Sequence, residues 1–274
     1  MSEATPPTFL VTKEYRRFAE FCDACQRYHY IGVCYGAPGV GKTLSARHYS
    51  HWDRVERLLP PHPLLQELPL PAEIATYHTI VYTPTVAGSP ARLAAEVSGL
   101  QGGFARVIEE ARPPEDPRPW WPEGSYADLI IVDEADRLRT QGLEHLRDVY
   151  DRANQQGRLG LVLIGLPGIE KRLARYPQLY SRVGFVHHYR ALSEAELHFI
   201  VTRKWAELGL TCSPEDFADV EAVAAITRIT GGNFRLVQRL FSQIERVLQI
   251  NELRTVTAEV VEAARESLVI GPLV

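Results

Sequence analysis

The stretch Gly36-Ala37-Pro38-Gly39-Val40-Gly41-Lys42-Thr43 constrains this chain more than any other, because it satisfies the pattern G-x-x-x-x-G-K-[ST] at every fixed position. The glycines let backbone N–H groups turn inward around phosphate oxygens, and a following helix N-terminus adds favourable partial charge. The pattern therefore needs a strand before it and a helix after it. Both are written in the sequence: the apolar run YIGVCY ends at Gly36, and the helical pattern LSARHYSHW follows Thr43. The expected nucleotide-binding set is Gly36, Ala37, Pro38, Gly39, Val40, Gly41, Lys42, Thr43 and the adjoining Leu44. Lys42 is expected to reach the β- and γ-phosphates, and the Thr43 hydroxyl to ligate Mg²⁺.

A second element supplies acids. In DLIIVDEAD, four apolar residues precede Asp133, so its carboxylate is expected to emerge at the C-terminal edge of a buried strand, where open α/β sheets bind ligands. Asp133 can hold Mg²⁺ directly or through water, and Glu134 is placed to orient and polarise an attacking water. ATP and Mg²⁺ are the expected cofactors, and Lys42 and Glu134 the expected catalytic groups. A strand, YHTIVYT, and a helix lie between the two motifs, so the strand bearing the acids is not expected to neighbour the first strand directly.

Short apolar runs recur at Tyr77–Thr83, Asp128–Asp133, Leu159–Gly165 and Gly184–Tyr189. Separated by helical patterns, they predict a parallel sheet with crossover helices. An N-terminal helix is expected over about Lys13–Tyr28. After about Ala191 the strands stop. Ser193 opens a capping box, Ser213-Pro214 is expected to start a second helix, Phe234 to about Asn251 is amphipathic, and a last helix covers about Ala258–Leu268. The expected domains are 1–190, an α/β nucleotide-binding domain with its N-terminal helix, and 191–274, a small all-helical domain.

Two proline-rich stretches, Pro60–Pro71 and Ala111–Gly124, read as insertions that cannot be ordinary helices. The second carries adjacent Trp120 and Trp121, whose indoles either pack the loop onto its own domain or meet a partner. Cys22 and Cys25 form a CxxC pair with no second pair to complete a zinc site, inside a helical stretch where that spacing means one face. His187-His188 at a strand end reads as one side chain in and one out.

The formal net charge of -4 excludes a bulk-basic nucleic-acid binder, so any DNA contact needs a local patch. No apolar run approaches the length of a membrane span, and no secretory signal is visible, so no membrane partner is expected. Four cysteines suit a reducing cytosol better than a disulfide scaffold, and a cytoplasmic location is expected.

The segments DLIIVDEADRL, LVLIGLPGIEKRLARYPQLYSRVGF and TGGNFRLVQRL together resemble the AAA+ transposition regulators, which include TnsC, TniB and the phage Mu B protein. The resemblance runs from about Tyr15 to Ile270. It implies a P-loop AAA+ α/β fold, a parallel five-stranded sheet sandwiched by helices, with the C-terminal helices as a lid. It also implies ATP-dependent assembly into homo-oligomeric rings or helical filaments on duplex DNA, recruitment of a transposase together with target-selection proteins, and disassembly on hydrolysis. Arg182, in Tyr-Ser-Arg-Val-Gly-Phe, resembles an arginine finger acting on a neighbouring subunit's nucleotide; the alternative is a surface or intrachain ion-paired arginine, with Arg175 in reserve. Arg235, in Gly-Gly-Asn-Phe-Arg, resembles the lid arginine that senses the γ-phosphate. One position departs from the pattern. The fourth core strand ends Ile164-Gly165-Leu166-Pro167, where many AAA+ proteins carry a polar sensor, often Asn; slow turnover is consistent with that departure.

The resemblance implies backbone contacts to DNA, with little sequence preference. The loop TPTVAGSPARL and the segment ADRLRTQGLEHLRD are the expected elements, with Arg92 first and Arg139 and Thr140 second. Two other classes fit the nucleotide motifs: an ATPase switch of a secretion or envelope apparatus, and a replication-type loader or initiator. The first often carries membrane or peptidoglycan-binding segments, and the second normally appends a DNA-binding domain for which no room is expected after Ile270.

Overall fold

A computed structural model describes residues 9–59, 70–86, 89–113, 126–155, 159–213 and 215–268. Trp120 and Trp121, and most of both proline-rich insertions, lie outside the described residues. The chain divides into two compact units. The first takes the residues up to Val11, Tyr15–Gly36 and Lys42–His188; the second takes Thr12–Glu14, Ala37–Gly41 and Tyr189–Val274.

The first unit is built on five parallel strands: β1 (Ile31–Tyr35), β2 (Thr79–Tyr82), β3 (Leu129–Val132), β4 (Gly160–Gly165) and β5 (Val183–His188), in the order β2-β3-β4-β1-β5. β2, β3 and β4 are buried along their whole length, which explains why they read as continuous apolar runs rather than alternating ones. β5 is an edge strand and alternates between half-buried and exposed residues. β4 lies between β1 and β3, so the phosphate-loop strand and the acid-bearing strand are not neighbours, as expected from the motif order.

Helix α1 (Lys13–Tyr28) approaches one face of the sheet closely. A Cβ on Gly32 would stand 2.3 Å from Cys25 Sγ and 2.6 Å from Phe21 Cζ, and one on Gly160 would stand 2.6 Å from the Cys25 carbonyl oxygen. Glycine is therefore required at both positions for the helix to sit where it does. Cys22, Cys25 and Cys34 are buried in this layer and form no disulfide. Burial pushes the Cys22 thiol well up and the Cys25 thiol up to about 12, so both are inert packing groups. Among the described residues no cluster of His, Cys, Asp or Glu could hold a metal through them. His187 stacks on Phe21 with centroids 5.4 Å apart, and the exposed His188 stacks on Tyr35 at 5.0 Å, one ring on each face.

The helical pattern after the phosphate loop forms two helices, not one. α2 (Lys42–Tyr49) ends before His51, whose φ of 52° turns the chain into α3 (Trp52–Val55). The remaining helices of this unit are α4 (Pro90–Ala111), α5 (Thr140–Asn154), α6 (Ile169–Leu173) and α7 (Pro177–Tyr180).

The second unit holds α8 (Glu194–Glu207), α9 (Phe217–Thr230), α10 (Phe234–Ile250) and α11 (Ala258–Glu266). The Ser193 hydroxyl accepts from the Glu196 N–H and the Glu196 carboxylate accepts from the Ser193 N–H, completing the capping box. α9 does not start at Ser213-Pro214. It starts at Phe217, because the Asp216 carboxylate accepts from the Ala218 N–H at 2.9 Å and makes the N-cap there; Pro214 lies outside the described residues. The core of this unit is Trp205, Ile226, Val237, Leu240, Ile244 and Val261, with Trp205 edge-on to Phe241 at 5.7 Å. No helix among the described residues is long and apolar enough to cross a membrane.

Candidate functional site

The loop from Gly36 to Gly41 leaves the C-terminal end of β1, and α2 begins at Lys42. Gly39 and Gly41 take φ values of 84° and 116°, which only glycine adopts without strain, so backbone conformation explains the pattern's second fixed glycine, Gly41, and the glycine at the variable position 39. The Lys42 ammonium donates to the Gly36 carbonyl at 2.6 Å, which keeps the lysine folded over the loop. Thr43 and Leu44 are exposed in the first turn of α2.

The middle of the loop is held by the start of α10. The Asn233 amide donates to the Pro38 carbonyl at 2.8 Å, and the Arg235 N–H donates to the Gly39 carbonyl at 3.0 Å. A Cβ on Gly39 would stand 2.6 Å from Asn233 Oδ1, a second reason for glycine there. Asn233 is also the N-cap of α10, accepting from the Leu236 N–H at 3.2 Å. Sequence reasoning selected Arg235 from this motif and missed Asn233. A polar residue before an amphipathic helix signals a cap; nothing local signals a bond to a loop 195 residues away. The Arg235 side chain is exposed beside Gly39.

The acids stand at the same edge of the sheet. β3 and β1 are two strand spacings apart, about 10 Å. Asp133 is buried, continues the ladder through its N–H to the Tyr82 carbonyl at 2.8 Å, and accepts from the Glu134 N–H through Oδ1 at 2.9 Å. A carboxylate at the C-terminal end of β3 and a hydroxyl in the first turn of α2 are hard-oxygen donors of the kind Mg²⁺ takes, so the chemistry of Asp133 and Thr43 fits the ion. Glu134 has a φ of 52°, a left-handed conformation uncommon for a residue with a side chain. Its carboxylate is exposed and pairs with Arg137, which also donates to the Pro84 carbonyl at 3.1 Å just beyond β2.

Next to Glu134, a 3-10 turn covers Ala135–Arg137. Asp136 Oδ2 accepts from the Leu166 N–H at 2.6 Å, so the polar group at the end of β4 comes from the acid turn, not from β4 itself.

The structure does not present Arg182 as a free cation. Its Nε and Nη2 donate to the two oxygens of Asp151 at 2.5 and 2.9 Å, an intrachain ion pair. Arg175 is exposed with no carboxylate partner among the described residues. Of the residues expected at DNA, Arg92 is exposed but paired with Glu96 at 2.8 Å, and Glu96 also accepts from the Tyr82 hydroxyl at 2.8 Å. Arg139 is exposed at the N-cap of α5, and the Thr140 hydroxyl bonds to Tyr176 Oη at 2.8 Å.

Residues 25–173 match the family model described as AAA domain, and a Staphylococcus aureus protein named a potential ATP-binding protein is 47% identical over 96% of this chain and 97% of its own. The chain belongs to the AAA domain family. This AAA protein is accordingly an ATPase, and the match spans both the phosphate loop and the acids. A second relative, the Mu-like prophage FluMu DNA transposition protein B of Haemophilus influenzae, is 24% identical over 86% of this chain and 72% of its own. Among solved structures, the Thermotoga maritima RuvB Holliday junction branch migration motor superposes with a TM-score of 0.59 at 16% identity, covering 94% of this chain and 70% of that one. The Aeropyrum pernix ORC1 protein in complex with DNA gives 0.57 at 19% identity, covering 92% and 64%. At such identities the two structures show the shared fold: a parallel five-stranded sheet with flanking helices and a helical C-terminal region.

Proposed function

We propose that this AAA ATPase assembles on duplex DNA when ATP is bound and directs a transposase to that DNA. One observation carries the reading: the 24%-identical relative that spans most of both chains is named a DNA transposition protein. The three segments resembling AAA+ transposition regulators agree with it. In this reading residues 1–190 form the nucleotide-binding domain and 191–274 the lid, the assembly is a homo-oligomeric ring or filament, and the protein works in the cytoplasm.

In this reading each residue has a part. The backbone N–H groups of Gly36–Thr43 cradle the phosphates, and Lys42 moves from the Gly36 carbonyl to the β- and γ-phosphates. Thr43 and Asp133 would hold Mg²⁺, which would supply positive charge against that of the phosphates. Glu134 orients the attacking water. Arg182 exchanges Asp151 for the γ-phosphate of a neighbouring subunit's nucleotide, so hydrolysis is slow until subunits assemble. Arg235 senses the nucleotide from the first turn of α10. Arg92, Arg139 and Thr140 meet the DNA backbone; few cations per subunit suffice because the contacts repeat around the assembly.

Electron microscopy of the protein with duplex DNA and a slowly hydrolysed ATP analogue tests this directly. Rings or filaments on DNA that need the nucleotide are the expected result. Their absence at low salt and high protein concentration would overturn the assignment while leaving the ATPase intact.

A further inference from the structure

Asp136 belongs to neither the phosphate set nor the acid pair, yet it connects them. Its carboxylate leaves the Ala135–Arg137 turn and accepts from the Leu166 N–H at 2.6 Å, just past the end of β4. One residue earlier, the Gly165 carbonyl accepts from the Gly36 N–H at 3.4 Å. Gly165 and Leu166 thus hold the first residue of the phosphate loop on one side and the acid turn on the other. This suits the strand order, in which β4 alone separates the strands of the two motifs.

The local sequence is fitted to this bond. A Cβ on Gly165 would stand 2.6 Å from Asp136 Oδ2 and 2.6 Å from Ile169 Cδ1, so a side chain there displaces the carboxylate from its present position or shifts Ile169. From α6, Arg172 Nη1 donates to the Asp136 carbonyl at 2.9 Å and Nη2 to the Leu138 carbonyl, fixing the turn's backbone from behind. Glu134 is the residue that opens this turn, as its N-cap.

We propose that Asp136 is a positioning residue for hydrolysis: by tying the acid turn to the end of β4, it sets the offset between Glu134 and the phosphate loop. The proposal rests on the reading of Glu134 as the residue that orients water. A group misplaced by about 1 Å can cost about a hundredfold in rate without weakening substrate binding, because only the reacting geometry is lost.

The test compares wild type, Asp136→Ala, Asp136→Asn and Gly165→Ala for steady-state ATP turnover with saturating DNA, affinity for a fluorescent ATP analogue, and thermal melting. Asp136→Ala and Gly165→Ala are expected to lose about ten- to a hundredfold in kcat, with KM and nucleotide affinity within about twofold of wild type. Asp136→Asn keeps an oxygen that can accept from the Leu166 N–H, so it is expected to stay within about fivefold of wild type. Turnover of Asp136→Ala within twofold of wild type overturns the proposal. So does an equal loss in Asp136→Asn, which would make the charge and not the tie the active property. If Asp136→Ala fails to fold, Gly165→Ala and Asp136→Asn carry the same comparison, and unchanged turnover in Gly165→Ala overturns it. Glu134→Gln is run alongside. If it turns over like wild type, the assignment of Glu134 falls and the proposal with it; if it is inactive while Asp136→Ala is not, only the tie is wrong.

Discussion

Asn233→Ala removes two hydrogen bonds whose effects can be told apart. One is the N-cap of α10, where Oδ1 accepts from the Leu236 N–H; losing such a cap costs about 1 kcal/mol of stability. The other runs from Nδ2 to the Pro38 carbonyl at 2.8 Å and holds the phosphate loop. That bond is open to solvent, so its net worth is at the low end of the usual range, about 0.5–1 kcal/mol. Asn233→Ser caps the helix as well as asparagine but cannot reach Pro38 with a donor, so it isolates the second bond. If the bond's energy goes into holding the loop's phosphate-binding shape, Ser should weaken ATP affinity by about two- to fivefold with little change in melting temperature. Asn233→Asp keeps the cap but turns an acceptor toward the Pro38 carbonyl, and a loss of about tenfold is expected. Asn233→Ala should match Ser in affinity and melt a few degrees lower, since about 1 kcal/mol shifts a chain of this size by about 2–4 °C. Fluorescent-nucleotide titration beside thermal melts measures both. Ser and Asp variants that bind ATP as tightly as wild type would refute the claim that the start of α10 shapes the loop.

Glu134→Gln should keep ATP affinity, lose about a hundredfold or more in turnover and accumulate the assembled state, whereas Lys42→Ala should lose nucleotide binding itself; filter binding and phosphate release distinguish them. Arg182→Ala should abolish the rise of specific ATPase activity with protein concentration while leaving monomer affinity unchanged, and a wild-type rise in that variant, lost instead in Arg175→Ala, would move the finger to Arg175. Gly32→Ala should cost about 1–3 kcal/mol, because the new methyl meets Cys25 Sγ at 2.3 Å in a packed layer; an unchanged melting temperature would mean that α1 is free to shift.

Much of this molecule is written locally. The interior strands announce themselves because both faces are covered, so every residue from Leu129 to Val132 is apolar. The phosphate loop is legible in part because Gly41 answers to its backbone angle rather than to a partner. Ser193 marks a helix start because both groups of its capping box lie within four residues. What stayed hidden depends on residues far apart in the chain. Asp151 binds Arg182 across 31 positions, Asp136 reaches Leu166 across 30, and Asn233 reaches Pro38 across 195. No periodicity reports such pairs. Boundaries failed where two signals competed: Pro214 is a good first residue of a helix, but Asp216 makes the cap and α9 starts after it. The break at His51 has no glycine or proline to announce it.

The left-handed backbone at Glu134 has a consequence for how this protein can be improved. A side chain at φ 52° stores on the order of 1 kcal/mol that glycine would release. A screen that rewards heat resistance alone is thus drawn toward glycine at His29, His51 and Glu252 and equally at Glu134, whose carboxylate the proposed mechanism uses. Thermotolerant variants selected with hydrolysis as a second criterion would separate the first three gains from the last.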